Sequence, residues 1–421
     1  MTDAWRHSTL GEMCRIQIGR TPPRKEARYW TQDLERPFCT IADMADRHIN
    51  PSREGVTQAA ESEGRAKRVP AGALLMSFKL TIGRVGFAAR DLFPNEAIAW
   101  LSSADPALNE EFLALWLEAQ DLSQGSGRAV KGSTLNSDSL RAIPVMVPPL
   151  EVQRRIVDLI GSIDESVVRL DQERQAVDRC WWSVAAALES AASSVISMPL
   201  GQVAEISGGL TKNKKAALVG VPVVVPYLRV ANVHRRFLDL TDLATITTTT
   251  DVVERLRLKP GDVLLNEGGD KDKLGRGAVW SGEVENCIHQ NHVFRARITD
   301  DRFLAEFVSA WANSFGQRWF ETYGTQTTGI ASISKATLSK FPVPVLPKDE
   351  QMRWAAALDG VFEEMTQLAA EAGVLRELRA RILDGLLSRA VEIPEAYDQL
   401  ALDVMPVDTR QAPRDSAGRD R

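Results

Sequence analysis

A proline-rich run occurs twice in this chain, and each copy opens a long stretch with the apolar spacing of a helix. The first copy is Ile143–Gln153 and the second is Phe341–Gln351, an offset of 198 residues. The two copies share two prolines and two valines at matching places, and both end in glutamine. Two copies in one chain predict two modules built on one plan, each followed by a helix.

The apolar residues after each run keep the same offset and recur at every seventh position. A seven-residue apolar repeat is typical of a helix that packs along a partner helix, because the repeat keeps one seam on that partner. We therefore predict a pair of long coiled-coil helices. The predicted core of this pair is Ile156, Ile163, Leu170, Val177 and Val184 in the first helix and Trp354, Val361, Leu368, Leu375 and Ile382 in the second.

Each helix needs a second apolar track beside this one. In the second helix that track is Leu358, Met365, Ala372 and Leu386, interrupted by the charged Arg379. In the first helix we place Leu159, Ser166 and Glu173 there, a polar set that predicts a local slip in packing. Two unrelated amphipathic surface helices are the alternative interpretation.

The repeat continues backwards into the segments that precede the helices. Leu10-Gly11 matches Leu200-Gly201, and the Lys-x-x-x-Gly-Arg motif ending at Arg84 recurs at Arg276. Turn signals between short alternating runs favour small twisted sheets. The predicted fold class is α+β, with two similar domains separated by two long antiparallel helices in a pseudo-two-fold repeat. The predicted boundaries are 1–147 and 198–345 for the domains, 148–197 and 346–392 for the helices, and 393–421 for a disordered tail.

The charge of the chain is unevenly distributed. The formal net charge is −5, yet residues 15–90 contain 14 Lys and Arg against 8 Asp and Glu, and residues 210–300 contain 14 against 11. Residues 91–209 contain 8 against 17. Because the local field attracts phosphate more than the net charge does, the basic parts of the two domains can face nucleic acid. Solvated surfaces without a ligand are the alternative.

Several classes of protein lack support in the sequence. No apolar stretch approaches the roughly 20 residues of a membrane helix, and the first residues lack the apolar run of a signal peptide, which predicts the cytoplasm. Cys14, Cys39, Cys180 and Cys287 form no CxxC pair and are expected to be reduced and structural. His289 and His292 are a weak metal candidate, because the residues after them alternate like a strand.

The common catalytic motifs are missing as well. The sequence contains no phosphate-binding loop of the Gly-x4-Gly-Lys-Ser/Thr type, no nucleophile elbow, no HExxH and no dinucleotide fingerprint. The Asn/Asp-Pro-Pro-Tyr/Phe motif of methyltransferases is also absent. We therefore predict no catalytic residue, no metal ligand and no cofactor for this chain. Two duplicated modules instead suit bivalent binding of one linear ligand, for which DNA is the natural choice.

The residues at this point resemble a known family. The IGRTP segment Ile18–Pro22, the TIGRVG hairpin Thr81–Gly86 and the duplicated opening PPLEVQ at Pro148–Gln153 look like the specificity subunit of type I restriction-modification systems. The resemblance covers about residues 1–390. The second module departs from the pattern, because Gly208–Lys212 lacks the Thr-Pro turn of the first copy.

The resemblance implies a non-catalytic subunit with two target-recognition domains, each recognising one half of a bipartite site in double-stranded DNA. The helix pair would set the spacer between the half-sites. Such subunits recruit two modification (methyltransferase) subunits, and the assembly can add restriction subunits. S-adenosylmethionine, ATP and Mg²⁺ would bind to those partners only. A protein scaffold with two duplicated interaction modules is the alternative function, and an enzyme with an unfamiliar site is the third.

Basic side chains in loops are the candidates for contact with DNA. Arginine pairs with guanine in the major groove, and lysine or arginine contacts phosphates. The candidates are Arg20, Arg24, Lys25, Lys79, Arg84 and Lys131 in the first module and Lys212, Lys214, Lys215, Arg229, Lys271, Lys273 and Arg276 in the second. For each one alone, a solvated charge is the competing interpretation. Tyr227, Asn232 and Asn291 are weighed as base contacts against residues that only satisfy turns.

Overall fold

The computed structural model describes residues 5–122, 127–129, 132–211, 220–327 and 330–399. The chain divides into two compact units. Unit 1 comprises Met1–Val167 and Val374–Arg421, and unit 2 comprises Val168–Gly373. Each unit contains one globular module and one part of each long helix.

The module of unit 1 consists of short strands and short helices. Its strands are β1 (Arg6–Thr9), β2 (Cys14–Ile18), β3 (Trp30–Thr31), β4 (Phe38–Cys39), β5 (His48–Ile49), β6 (Gly55–Val56), β7 (Leu74–Ser77), β8 (Lys79–Leu80), β9 (Val85–Ala88), β10 (Phe93–Pro94), β11 (Ile98–Ser103), β12 (Gly127–Ala129), β13 (Gly132–Thr134) and β14 (Pro144–Val147). Its helices are α1 (Leu10–Met13), α2 (Gln58–Ser62), α3 (Glu110–Ala119) and α4 (Ser137–Arg141), and the long helix α5 (Leu150–Ala192) follows.

The module of unit 2 has the same kinds of element. Its strands are β15 (Ser197–Pro199), β16 (Ala204–Ser207), β17 (Pro222–Leu228), β18 (Ala244–Thr249), β19 (Asp262–Asn266), β20 (Gly268–Gly269), β21 (Gly277–Trp280), β22 (Ile288–His289), β23 (Val293–Ile298), β24 (Thr325–Thr327), β25 (Ile330–Ser332) and β26 (Pro342–Pro344). Its helices are α6 (Leu200–Val203), α7 (Thr250–Leu256), α8 (Ala305–Asn313), α9 (Phe315–Tyr323) and α10 (Lys335–Leu338), and the long helix α11 (Lys348–Leu387) follows.

The sheets of the two modules repeat one topology. The main sheet has the strand order β2-β11-β7-β9-β5 in the first module and β16-β23-β19-β21 in the second. A small sheet has the order β12-β13-β8 in the first and β24-β25-β20 in the second. A parallel pair also recurs, β4 with β10 and β17 with β22. These matches confirm the internal repeat and the α+β class.

A helix covers one face of each main sheet. In the first module Leu74 of β7 shares a core cluster with Phe112 of α3, whereas its neighbour Leu75 lies in a cluster on the other face. In the second module Val263 of β19 clusters with Phe307 of α8, and Leu264 faces the opposite way. Successive strand residues point to opposite faces, so both faces of each sheet are buried.

The first and last strands of each module pair with each other. β1 pairs with β14 and β15 pairs with β26, both antiparallel. The indole of Trp116 in α3 donates to the carbonyl oxygen of Pro144 over 3.0 Å, and that of Trp311 in α8 donates to Pro342 over 2.7 Å. The duplicated proline-rich run is therefore the closing strand of its module, positioned just before the long helix begins.

The long helices have 43 residues in α5 and 40 in α11. In unit 1 the start of α5, with Ile156, shares a core with the end of α11, with Leu383. In unit 2 the end of α5, with Leu188, shares a core with the start of α11, with Leu358. The helices thus run antiparallel within each unit.

The deepest stripe on each helix starts at the glutamine of the duplicated run and recurs every seven residues. Its buried members are Gln153, Ile160, Val167, Trp181 and Leu188 on α5 and Gln351, Leu358, Ala372 and Leu386 on α11. The remaining positions of the series, Arg174, Met365 and Arg379, are half-buried. Of the ten predicted core residues, Ile156 and Leu368 are buried and the other eight are half-buried beside this stripe. The predicted second track on α5 is wrong by one residue: Leu159 and Ser166 are half-buried and Glu173 is exposed. The true track lies four residues after the first one, as it does on α11.

Arg379, the charged residue in the second track of α11, has carboxylate partners. Its guanidinium donates to both carboxylate oxygens of Asp164 on α5, over 2.5 and 3.1 Å, and to those of Glu118 on α3, over 3.2 Å each. One charged residue in a helix seam can fix the alignment of the helices. Here it also ties the pair to the module of unit 1.

The chain after α11 returns to α5 in unit 1. The guanidinium of Arg155 donates to the two carboxylate oxygens of Asp398 over 2.8 and 2.6 Å. The start of the predicted tail is therefore held against the helix. Residues 400–421, the rest of that tail, lie outside the described residues.

Candidate nucleic-acid interface

The turn-rich loop after β2 forms one wall of an open cleft in the first module. The cleft has a volume of about 630 Å³ and includes Arg20, Arg24 and Arg65 in its lining. Arg20 is exposed, and one of its guanidinium nitrogens donates to the carbonyl oxygen of Gly64 over 2.9 Å. Arg65 also lines the cleft but was not among the sequence candidates; it follows Gly64, whose φ is 66°.

Arg24 is held by an aromatic ring and a carboxylate. Its guanidinium carbon lies 3.8 Å from the centroid of the Trp30 ring, and a guanidinium nitrogen donates to Glu54 over 2.7 Å. Half of the side chain remains exposed, at 52%. An arginine has five N–H donors, so Arg24 keeps donors for a ligand while its position is fixed. The neighbouring Lys25 is exposed.

The Lys-x-x-x-Gly-Arg motif forms the same turn in both modules. In the first, the amide of Gly83 donates to Ser77, which in turn donates its amide to the carbonyl oxygen of Arg84 over 2.8 Å. In the second, Gly275 and Arg276 make the corresponding bonds with Asn266. Both glycines have positive φ, 88° and 67°, which explains why glycine precedes the arginine in each copy.

Of the two candidates in the first turn, Lys79 is half-buried and Arg84 is exposed. The amine of Lys79 lies 5.2 Å from the Phe78 ring centroid. Arg84 is exposed, with one guanidinium bond of 3.1 Å to the carbonyl oxygen of Ile41.

Two of the second-module candidates are paired with carboxylates. Arg229 donates to the side chain of Asp242 over 2.9 Å and to its carbonyl oxygen over 2.8 Å. Lys273 contacts Asp270. Lys271 is exposed. Arg229 therefore stabilises the loop that carries Asp242, whereas Lys271 is accessible at the surface.

Arg276 differs from the other candidate arginines in having no hydrogen bond or salt bridge from its side chain among the described residues. It is half-buried, its Nε is buried without a partner, and burial lowers the pKa of its guanidinium. Arg235, which sequence reasoning missed, lies close enough for Arg276 to lower its pKa further after burial. Asp272 and Asp270 act in the opposite direction and raise the pKa of Arg276, and Asp272 also raises that of Arg235.

The polar candidates for base contact are used within the module. The hydroxyl of Tyr227 donates to the carbonyl oxygen of Leu210 over 2.9 Å. The amide of Asn232 donates to the carbonyl oxygens of Asp239 and Asp242, over 2.9 and 3.0 Å. Both side chains are therefore hydrogen-bonded to backbone carbonyl groups within the module. Asn291 is exposed.

Four candidate lysines cannot be placed. Lys131, Lys212, Lys214 and Lys215 lie outside the described residues. They stay candidates on sequence grounds alone.

The described residues contain no group of three or more His, Cys, Asp or Glu side chains arranged to bind a metal ion. His289 is fully buried in β22, and its Nδ1 lies 2.7 Å from the carbonyl oxygen of Val293. The strand predicted after it is confirmed as β23. Cys14, Cys39 and Cys287 are buried thiols, whereas Cys180 is exposed on α5. Within the described part of the chain, no helix combines the length and apolar character needed to cross a membrane.

Comparison with known proteins gives a match to each half of the chain. The family model of the type I restriction modification DNA specificity domain matches residues 2–177 and again residues 194–373. The type I restriction enzyme MjaIX specificity subunit of Methanocaldococcus jannaschii is 22% identical over 181 residues, 42% of this chain and 41% of that protein. The putative MjaX specificity subunit of the same organism is 19% identical over 205 residues, 48% of this chain and 47% of that protein. The matched region thus spans less than half the length of these relatives.

Solved structures share the fold. The type I restriction-modification S subunit from M. genitalium has a TM-score of 0.55 at 13% identity, covering 91% of this chain and 96% of that one. A chain from a study of complex assembly and conformational transition of the type I R-M system also has a TM-score of 0.55, at 17% identity, covering 91% and 97%. At these low identities the similarity shows a shared fold only.

Proposed function

The chain belongs to the type I restriction-modification DNA specificity family, and from this premise we propose that it binds double-stranded DNA through both modules. Each module would recognise one half of a bipartite site. The long helices would set the spacer between the halves and bind the modification subunits. The compartment would be the cytoplasm.

The observation that carries the proposal is the turn that places Arg84 and Arg276 at matching positions in the two modules. Each arginine follows a glycine of positive φ and immediately precedes a strand of the main sheet, β9 or β21. A duplicated basic residue on a duplicated turn suits a ligand that presents equivalent phosphates or base edges twice. Duplex DNA is such a ligand.

The chemistry of the complex would reside on other subunits. We expect two modification subunits to carry S-adenosylmethionine and the methyl transfer, and restriction subunits, where present, to carry ATP and Mg²⁺. The sequence contains none of the common catalytic motifs, and the described residues contain no cluster of side chains that could bind a metal ion. The proposal therefore assigns target selection, without catalysis, to this chain.

Mapping of methylated bases tests the function directly. The chain and its modification subunits are expressed in a methylation-free host, and methylated positions are mapped across the genome. We expect one motif of two short half-sites separated by a fixed number of unspecified bases. Stable association with other proteins and no sequence-specific methylation would favour the scaffold alternative instead.

Substitution of Arg276 tests the proposed contact. We expect Arg276→Met to weaken retention of the mapped DNA site by the assembled complex about tenfold, and to lower the slope of log affinity against log salt by about 1 if the contact is to a phosphate. Arg302→Met is the matched control, because Arg302 is an exposed arginine of the same module that is paired with Asp300. Equal retention by both variants would contradict a DNA contact at Arg276.

A further inference from the structure

The glutamine that ends each duplicated run is fully buried at the base of its long helix. The side-chain amide of Gln153 donates to the carbonyl oxygens of Pro148 and Ala107, over 2.8 and 2.7 Å. Its amide oxygen accepts the backbone N–H of Asn109 over 2.8 Å. One side chain thus joins the end of β14, the first turns of α5 and the N-cap of α3.

Gln351 makes the same three bonds in the second module. Its amide donates to the carbonyl oxygens of Leu346 and Arg302, over 2.7 and 2.8 Å, and its oxygen accepts the N–H of Leu304 over 2.9 Å. Leu304 is the N-cap residue of α8, as Asn109 is of α3. In both modules the first acceptor is five residues before the glutamine, and the second is two residues before the N-cap.

These contacts differ from ordinary core packing because they are directional. An apolar side chain can slide against its neighbours, whereas three hydrogen bonds at 2.7 to 2.9 Å fix both the position and the rotation of the side chain. Both glutamines are 0% exposed. Burial of a side-chain amide costs desolvation free energy, which its hydrogen bonds must offset. Because both modules bury the same amide with the same three bonds, we read it as fixing the geometry of the helix base as well as stabilising it.

We infer that Gln153 and Gln351, the helix-base glutamines, are positioning residues that fix the direction in which each long helix leaves its module. This inference rests on the proposed function, because the direction matters through the distance between two DNA half-sites. The helix-base glutamines contact no DNA in this scheme. They determine which spacer length the complex accepts.

The orientation of each module on its helix bears directly on the spacer. A folded module of about 150 residues has a radius of gyration of about 15 Å. A rotation of about 13° about the helix base moves a point about 15 Å from that base by about 3.4 Å, which is one base-pair step. For a point to the side of the helix this movement runs along the helix axis, so a small rotational freedom at the base is enough to let a neighbouring spacer length bind.

The test replaces both helix-base glutamines by methionine, which has a similar volume but lacks the amide. The chain carrying Gln153→Met and Gln351→Met is expressed with its modification subunits in a methylation-free host, and methylated sites are sorted by spacer length. We expect the half-site sequences to be unchanged and the methylated fraction of sites with a spacer one base pair longer or shorter to rise about tenfold relative to the main class.

The matched control replaces two exposed glutamines of the same helices, Gln175→Met on α5 and Gln367→Met on α11. The control is expected to keep one spacer length. If the glutamine-to-methionine pair at the helix bases also keeps a single spacer length at normal activity, the inference is overturned. If the wild-type complex methylates no bipartite site, the proposed function fails instead.

Loss of folding is distinguished by the single variants. Each of Gln153→Met and Gln351→Met leaves one helix base intact, and each is expected to broaden the spacer distribution by itself while its thermal unfolding stays cooperative. Should both single variants fail to fold, the glutamines serve stability alone and the positioning role is refuted.

Discussion

Removing one heptad from each long helix is expected to shorten the spacer of the methylated DNA site by about three base pairs. The segments to delete are Val168–Arg174 of α5 and Gln367–Gly373 of α11, both in unit 2. Seven residues correspond to about 10.5 Å of helix, and a base-pair step is about 3.4 Å. Because the buried stripe recurs every seven residues, the deletions leave the remaining apolar residues in phase.

Methylome mapping of the double deletion measures this effect, with the half-site sequences as an internal standard. They are expected to stay unchanged, since the deletions remove no residue of either module. The single deletion of Val168–Arg174 is the control: it leaves the two helices unequal and is expected to abolish methylation. A double deletion that methylates sites with the original spacer would show that the helices do not measure the distance.

Acid is expected to destabilise unit 2 through one buried histidine. Burial lowers the pKa of His289 from 6.5 to about 4. Between these values the unfolded chain binds a proton that the folded chain excludes, so the free energy of unfolding falls as pH falls from 6.5 towards 4. Above pH 6.5 both states are neutral and the contribution is constant. We expect His289 alone to lower the stability by about 2 kcal/mol between pH 7.5 and pH 5.

Urea unfolding of wild type and His289→Asn at both pH values measures this contribution. Asparagine can donate to the carbonyl oxygen of Val293 as the imidazole does but does not titrate, so the pH difference in stability should shrink by about 2 kcal/mol. An unchanged difference in His289→Asn would mean that His289 is protonated equally in both states.

The repeat made much of the fold predictable. The duplicated proline-rich run and the heptads after it indicated two modules and two long helices, and the structure has α5 and α11 where those heptads lie. The match between Lys79–Arg84 and Lys271–Arg276 predicted a shared turn, which both modules form. Periodic apolar spacing and turn glycines are local signals, so a single sequence carries them.

Features that depend on distant partners were not predictable. The deepest stripe on α5 includes Trp181 and lies one residue from the predicted second track. Packing against the facing helix decides whether the second track lies three or four residues after the first. In the sequence Arg379 appeared only to interrupt the apolar track of α11, because its partner Glu118 lies far away along the chain. The sequence also listed Arg229 and Arg276 alike, although the fold pairs the first and leaves the second without a bonded side chain among the described residues.

The pairing of β1 with β14, and of β15 with β26, brings the entry and exit of each module side by side. A segment whose two ends are adjacent can be replaced by another of the same plan without altering the length of the helices on either side. Under the proposed function, exchange of one whole module for another of the same plan would therefore replace one half of the recognised site in a single step. A substitution inside a module would instead alter that half one contact at a time.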